Sequence, residues 1–415
     1  MIFSLSKTMK NSKKKILFVC QYFHPEVFRG NDIAFHWAKE GHDVHVVTGV
    51  PNYPDGVFHQ GYGLLKKRHE YVNGVRVTRL PIFPRGNNKI MLMLNYFSYF
   101  IVSWIWMLFH AINNRYDFVF CQQLSPVMMS APAILYKKLR KVPLYTWVLD
   151  IWPESLTAAG GINNKYILDF FDLFVKSEYK HSDMILTSSK SFDKSILSYG
   201  DYKDKIVYFP QWSDGINCTN ELTTNFTMPH MPSGFIVMFA GAVGEAHGME
   251  CNMQAALLTK EHKDIHWVIV GDGRKLEWVQ KFVTDNGLDD TVHTLGRFPS
   301  ETMPLFFERA DVMLVSLTDS PLFNLYAPAK ISSYMAASRP IIAILNGEGA
   351  EVVKQANCGW TVKAGDAEGL AKIVIEISKT DSFILKEKGI NALNYYNNYF
   401  DKDKCLKKLD EIIQL

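Results

Sequence analysis

The apolar run Phe235-Ile-Val-Met-Phe239 feeds into Ala240-Gly241, and a helix-length stretch from Gly248 returns the chain to Trp267-Val-Ile-Val270, which ends in Gly271-Asp-Gly-Arg274. Two short apolar runs, each closed by glycine and joined through a helix, are the pattern of a parallel sheet buried on both faces. Sheets of that kind bind ligands outside the carboxyl ends of their strands. Backbone N–H groups at the turns, with the following helix N-termini, suit a phosphate. The second half therefore reads as a nucleotide site. The first half repeats the unit: Lys15-Ile-Leu-Phe-Val-Cys20, Gly30 in the next loop, a helix through Phe35, Trp37 and Ala38, then the strand from Gly41 to Thr48. Neither half holds Gly-x-Gly-x-x-Gly or a P-loop, which argues against a dinucleotide dehydrogenase and a P-loop ATPase. An α/β chain of two such domains with a cleft between them is expected.

Strand-like segments at Val75–Leu80, Phe118–Gln122, Leu144–Val148, Met184–Thr187 and Ile206–Phe209 continue the first domain, assigned to 1–212. Residues 213–232 are polar and aperiodic, as in a linker. A second domain at 233–392 continues through Thr291–Leu295, Val312–Ser316, Pro340–Leu345 and Gly359–Val362, and 393–415 is helical, with Leu406, Leu409, Ile412 and Ile413 on one face.

At 415 residues the chain suffices for two domains, and a formal charge of +3 with 21% charged residues gives no reason to propose nucleic acid. Lys10, Lys13, Lys14 and Lys15 form a short basic run, either a solvated tail or a lipid-headgroup contact. Cys20, Cys121, Cys218, Cys251, Cys358 and Cys405 lack Cys-x-x-Cys spacing and read as reduced cytosolic thiols, neither zinc ligands nor a disulfide framework. Met1 to Ser6 is too short for a secretory h-region, so a cytoplasmic chain is expected.

Ile90 to Ile112 contains no Asp, Glu, Lys or Arg and is rich in aromatics, Tyr96, Phe97, Tyr99, Phe100, Trp104, Trp106 and Phe109 among them. By length it could cross a hydrocarbon core of about 30 Å. A span would, however, put Ile16–Cys20 and Phe118–Gln122, strands of one sheet, on opposite sides of a membrane. The expectation is a long helix packed partly on the sheet and partly in the inner leaflet, with an entirely buried core helix as the alternative.

The series Gly41-His-Asp-Val, Pro51-Asn-Tyr-Pro-Asp-Gly56, Gly61-Tyr62, Trp152-Pro-Glu-Ser155, Phe239-Ala-Gly241, Val270-Gly-Asp-Gly273, Pro328-Ala-Lys330 and Gly347-Glu-Gly-Ala-Glu351 resembles the bacterial GT-B glycosyltransferases of family 4. Within them it is most similar to O-antigen and capsule enzymes that move N-acetyl-fucosamine-type amino sugars. The resemblance spans nearly the whole chain. It implies two Rossmann-like domains facing a central cleft, a nucleotide-sugar donor in the C-terminal half, an acceptor in the N-terminal half, no metal, and a terminal helix crossing back to the first domain.

Displacing a nucleoside diphosphate leaves negative charge that cations and helix N-termini must stabilise. Lys330, after Pro328-Ala329 and opening a helix over Ile331–Ala337, is the first candidate, with Arg274 a second phosphate or ribose contact or else a surface arginine. Gly241, Gly244, Gly271 and Gly273 supply the donor-side backbone. Family members carry an Arg and a Lys where this chain has Ala242 and His247, and two glutamates where it has Leu325 and Ser333. The resemblance therefore leaves Glu348 or Glu351 to stand in for a carboxylate, or to be plain surface acids. In the first domain Asp150 and Glu154 follow a buried strand. Asp150 would contact the transferred sugar as base or acceptor, and Glu154 is as readily an N-cap. Glu26 and Gly30, with the loop holding Asn52, Tyr53 and Asp55, line the acceptor side.

Together these readings predict a retaining glycosyltransferase with no cofactor. It would move an N-acetylated deoxyhexosamine such as L-FucNAc from a UDP-sugar to an undecaprenyl-diphosphate-linked saccharide, as a peripheral protein at the cytoplasmic face of the inner membrane. The alternatives are a GT-B UDP-sugar epimerase and a non-catalytic assembly scaffold.

Overall fold

The computed structural model of the chain describes residues 13–161, 163–213, 215 and 226–415. The lysine at position 10, Cys218 and most of the linker at 213–232 lie outside them. The chain divides into two compact units, one running to Phe209 and taking up Leu406–Leu415, the other running from Pro210 to Cys405.

In the first unit β1 (Lys15–Val19), α1 (Arg29–Lys39), β2 (Asp43–Gly49), β3 (His69–Val72), β4 (Val75–Leu80), α2 (Lys89–Asn113) and β5 (Phe118–Gln123) are followed by α3 (Ala131–Arg140), β6 (Leu144–Val148), α4 (Glu154–Gly160), α5 (Lys165–His181), β7 (Met184–Thr187), α6 (Phe192–Leu197) and β8 (Ile206–Tyr208). The strand order β3-β4-β2-β1-β5-β6-β7-β8 is parallel except for β3 against β4. Continuous apolar strands follow from this burial: Leu17 and Val19 pack with Val119, Cys121 and helices α2 and α3, while Phe18 and Phe120 face Trp37 of α1. Gly30 sits in the first turn of α1, not in the loop expected for it.

The second unit contains β9 (Phe235–Ala240), α7 (Met249–Leu258), β10 (Ile265–Val270), α8 (Leu276–Asp285), β11 (Val292–Gly296), α9 (Met303–Phe307), β12 (Val312–Ser316), α10 (Ala329–Ala336), β13 (Ile341–Ile344), α11 (Glu348–Gln355), β14 (Gly359–Val362), α12 (Ala367–Ser378) and α13 (Ser382–Tyr399); α14 (Lys402–Ile413) closes the chain. The order β11-β10-β9-β12-β13-β14 is wholly parallel. Along β9 the side chains alternate between two cores, Ile236, Met238 and Ala240 on one face and Val237 and Phe239 on the other. Both sheets reverse direction of growth beside their first strand, between β1 and β5 and between β9 and β12. Loops diverge there and open a crevice at the carboxyl ends.

Helix α2 is not an entirely buried core helix. Asn95, Tyr99, Ser103, Met107 and Ala111 form one buried stripe at four-residue spacing, and the Tyr99 hydroxyl donates to the Cys20 carbonyl at 3.0 Å. Across the helix Ile90, Met93, Leu94, Ile101, Trp104, Ile105, Phe109 and Ile112 are exposed, Phe109 at 69%. Trp106 belongs to neither set: it stacks on His110 with ring centroids 4.1 Å apart. By length and composition α2 would suffice to cross a membrane.

The last turns of α14 are fastened to α1 by one carboxylate. The Trp37 indole N–H donates to Asp410 Oδ1 at 2.8 Å, and His36 Nε2 lies 2.7 Å from Oδ2. Asp410→Ala would strand the N–H of the buried Trp37 and should destabilise the first unit by about 1–3 kcal/mol. Denaturant melting of the variant, with an unchanged second-unit transition, checks this.

Candidate active site

Helix α10 is positioned by Tyr334, whose hydroxyl donates to the Ala240 carbonyl at 2.9 Å and accepts from the Ala240 N–H at 3.0 Å, clamping it to the end of β9. Lys330 lies one turn earlier on the same helical face, so it projects over the next residue of that chain end, Gly241. Its ammonium sits 3.6 Å from the Phe239 ring centroid, and a Cβ at Gly241 would fall 2.7 Å from Lys330 Cε. The Lys330 Nζ is buried and meets no hydrogen-bond acceptor. Desolvation pulls its pKa from the ordinary 10.5 down to about 7.

His247 shares this notch. Its ring stands edge-on to Phe239 at 5.8 Å, its carbonyl accepts from Ser316 Oγ at 2.6 Å, and its Nδ1 is buried without a partner. Burial first, then the Lys330 charge, lowers its pKa to about 4. A lysine and a histidine with unused ring and ammonium nitrogens, held at the sheet's switch point, are of the chemistry that could receive an anion.

The glycine turns have separate duties. A Cβ on Gly271, at φ +150°, would lie 1.9 Å from the Gly241 carbonyl oxygen, and one on Gly273 would lie 2.3 Å from that of Val243. The two strand-end turns are zipped by Gly241 N–H to Val270 O at 2.8 Å and Val243 N–H to Asp272 O at 2.9 Å. Gly271 and Gly273 thus serve close backbone approach, while Gly241 leaves room for Lys330, and a Cβ on Gly244 would only touch His247 Nδ1, at 3.9 Å. Beyond them runs an open groove of about 960 Å³ lined by Gly241, Ala242, Gly273, Arg297, Phe298 and Glu301. Arg274 is exposed past the turn and does not line it. Glu348 is buried at the start of α11, and Gly349, whose Cβ would sit 3.0 Å from Pro328, lets that helix pack against the start of α10. Glu351 is exposed and pairs with Lys354 of its own helix at 2.9 Å.

In the first unit Asp150 lies just past β6. Its Oδ2 accepts from Ser125 Oγ at 2.8 Å, and Ser125 in turn accepts from the Trp152 indole N–H at 3.1 Å. Burial raises its pKa above the usual carboxylate value, against the opposing pull of the Ser125 bonds. No side-chain cap starts α4, and Glu154 is not an N-cap: it lies inside the helix and accepts from Ser195 Oγ at 3.0 Å. Glu26 and Asn52 face inward. Glu26 Oε1 accepts the Asn52 and Tyr53 N–H groups at 2.8 and 2.7 Å, and burial raises the pKa of this carboxyl to about 7. Both residues brace the loop and present no free polar group. Gly30 is buried in α1, Asp55 is exposed, and Tyr53 is half-exposed against Tyr22 and Phe28. Among the described residues no three His, Cys, Asp or Glu side chains gather as a metal site. Sequence reading passed over Ser125, Tyr96 and Arg85, which stand around Asp150 and Tyr53; the turn signal Pro84-Arg85-Gly86 after β4 was the available clue.

Two parallel-sheet units, each with a crevice at its strand ends and one with a buried lysine that meets no acceptor, define an α/β class of enzyme, and comparison with known proteins narrows it. Residues 234–380 match the model described as glycosyl transferases group 1. The chain is a glycosyltransferase with the GT-B fold, and its second unit is similar to that group. It is similar to the probable glycosyltransferase WbjE of Pseudomonas aeruginosa, 26% identical over 305 residues that cover 67% of this chain and 73% of the relative. The putative colanic acid biosynthesis glycosyl transferase WcaI of Escherichia coli (strain K12) is 22% identical, covering 72% and 74%. Among solved structures, Anabaena Alr3699/HepE in complex with UDP and glucose superposes with a TM-score of 0.66 at 15% identity, over 97% of this chain and 99% of that one.

Lys330 yields a two-sided prediction. Between pH 7 and 10.5 the unfolded chain holds a proton that the folded, unliganded chain lacks, so stability should rise with pH across that window and lie lower beneath it. Lys330→Met should abolish this dependence and raise the melting temperature at pH 7, while weakening UDP binding by about 1.5–3 kcal/mol. Wild-type affinity for UDP should fall as pH rises above about 7. Calorimetric titration of UDP at several pH values, with thermal melts of both proteins, checks all three.

Proposed function

We propose that the chain transfers an N-acetylated deoxyhexosamine, such as L-FucNAc, from a UDP-sugar to a lipid-linked saccharide in bacterial polysaccharide assembly. The observation that carries the reading is the buried, acceptor-free ammonium of Lys330 at the β9–β12 switch point. In the reaction the acceptor hydroxyl oxygen bonds to the anomeric carbon as the bond to the diphosphate oxygen breaks. Lys330 and the N-terminus of α10 take the charge that develops on the leaving phosphate. A departing phosphate oxygen takes the acceptor proton on the same face, so configuration is retained and no dedicated base is required. Phe298 and Pro299 in the adjoining groove offer apolar surface to a base, and Glu301 an acceptor for a ribose hydroxyl.

Similarity to glycosyltransferases named for colanic acid and amylovoran biosynthesis supports the polysaccharide setting. These relatives are all described as glycosyltransferases, which leaves the epimerase alternative without support. The exposed apolar face of α2 supports work at a membrane surface, where a lipid-diphosphate acceptor is confined.

Asp150 on this reading hydrogen-bonds the transferred sugar. Asp150→Asn should lower turnover by about 100-fold while leaving UDP affinity and melting temperature near wild type. A variant that merely melts earlier would reduce Asp150 to a partner of Ser125.

Attachment to the membrane is proposed to be peripheral, at the cytoplasmic face, through α2 and the lysines near Lys13, each worth about 1 kcal/mol at an anionic surface. Flotation with anionic liposomes should carry the wild type up, and Trp104→Ser with Ile105→Ser should leave it at the bottom. Trp106→Ser should instead lower stability, because that ring packs on His110.

A further inference from the structure

Arg85 is a cation for which the mechanism so far has no use. The buried Arg79 has Glu70 at 2.5 Å and the His24 carbonyl at 2.6 Å. Arg85 has no carboxylate within ion-pair distance among the described residues. It donates to the Tyr22 hydroxyl at 3.1 Å, and its guanidinium carbon lies 5.5 Å from the Tyr53 ring and 5.9 Å from that of Tyr96. Its backbone is fixed: the Arg85 N–H donates to Asn52 Oδ1 at 2.8 Å, and Asn95 Nδ2 donates to the Phe83 carbonyl at 2.6 Å. Asn95 is itself held by Gln21 at 2.8 Å, so an amide network of buried side chains sets the loop. Tyr96 lies in the electrostatic field of both Arg85 and Asp150, which puts the box beside the candidate catalytic carboxylate.

A planar guanidinium with spare N–H groups, walled by three phenols that can also donate, matches tetrahedral phosphate oxygens. The loop runs directly into α2, which starts at Lys89 and carries Tyr96 itself. The exposed Ile90, Met93 and Leu94 follow within two turns. We propose that Arg85, Tyr22, Tyr53 and Tyr96 bind the diphosphate of a polyprenyl-linked acceptor, with the lipid laid along the open face of α2. The proposal rests on the lipid-linked acceptor reading above and assigns its headgroup to these four side chains.

Farnesyl diphosphate in detergent micelles, inorganic pyrophosphate and UDP are the probes, titrated into wild type and Arg85→Gln. Farnesyl diphosphate binding should weaken at least about tenfold in the variant, as expected for lost charge-assisted hydrogen bonds, while UDP binding and melting temperature hold. Arg85→Lys should regain part of the loss, because charge returns without the fork. Equal farnesyl diphosphate binding by wild type and Arg85→Gln would overturn the box while leaving the lipid-linked acceptor standing. An equal loss of UDP affinity would assign Arg85 to the donor. Pyrophosphate competing as well as the farnesyl compound would overturn the lipid source. A wild type that binds no farnesyl diphosphate and glycosylates only lipid-free saccharides would remove the acceptor reading itself. If the Gln variant melts early, Tyr96→Phe is read instead, with a several-fold loss of farnesyl diphosphate affinity expected and none overturning the box.

Discussion

The ligand end of the second unit depends on two backbone turns coming closer than any side chain allows. Gly241 and Gly271 meet with no room for a Cβ, and the two hydrogen bonds between the turns hold them there. That contact fixes where β9 stops, which fixes the anchor for Tyr334, which aims Lys330. A bulkier residue at either glycine would move the ammonium as well as strain the turn. The unusual electrostatics of Lys330 are thus consequences of packing: the aromatic ring of Phe239 and the neighbouring turns exclude water, and no acid replaces it.

The first unit solves a similar problem with side-chain amides. Glu26 gathers the N–H groups of Asn52 and Tyr53, Asn52 receives the N–H of Arg85, and Asn95 joins Phe83 and Gln21. The Glu26–Asn52 and Gln21–Asn95 bonds are buried, so breaking either would leave a group unsatisfied at about 1–3 kcal/mol. Asn95 also belongs to the buried stripe of α2. The helix with the exposed apolar face and the loops after β1, β2 and β4 are therefore one hydrogen-bonded assembly, and tilting α2 on a surface would be felt at the loop of Arg85.

Most strands were legible in the sequence because parallel strands buried on both faces must be continuously apolar, and those runs end where the glycines begin. Strand β3 was not read. It is a four-residue edge with alternating exposure, and its one clear signal was the Asn73-Gly74 hairpin turn, where φ is +48° and +82°. Lys330 and Asp150 were legible through motifs at strand and helix ends. Arg85, Ser125 and Tyr96 were not, because their convergence joins the loop after β4, the helix α2 and the loop after β5, and no local spacing encodes it. Glu26 and Asn52 bond the backbone of their own loop: polar residues in a strand-end loop serve that backbone as readily as a ligand.

His247, standing where the resembling family has a lysine, gives the departure from that pattern a physical sense. Two ammonium groups crowded against Phe239 would both be desolvated and would repel each other, with no acid at hand to relieve either. A neutral imidazole beside Lys330 removes the repulsion and keeps a ring nitrogen for a phosphate oxygen. The notch is then only partly charged when empty near neutral pH, and on the proposed reading a phosphate entering it would restore the proton affinity that desolvation took from Lys330. The protein in this way avoids holding a permanently charged, unpaired lysine in its core, and on the proposed reading its positive charge would be greatest with a diphosphate in the site.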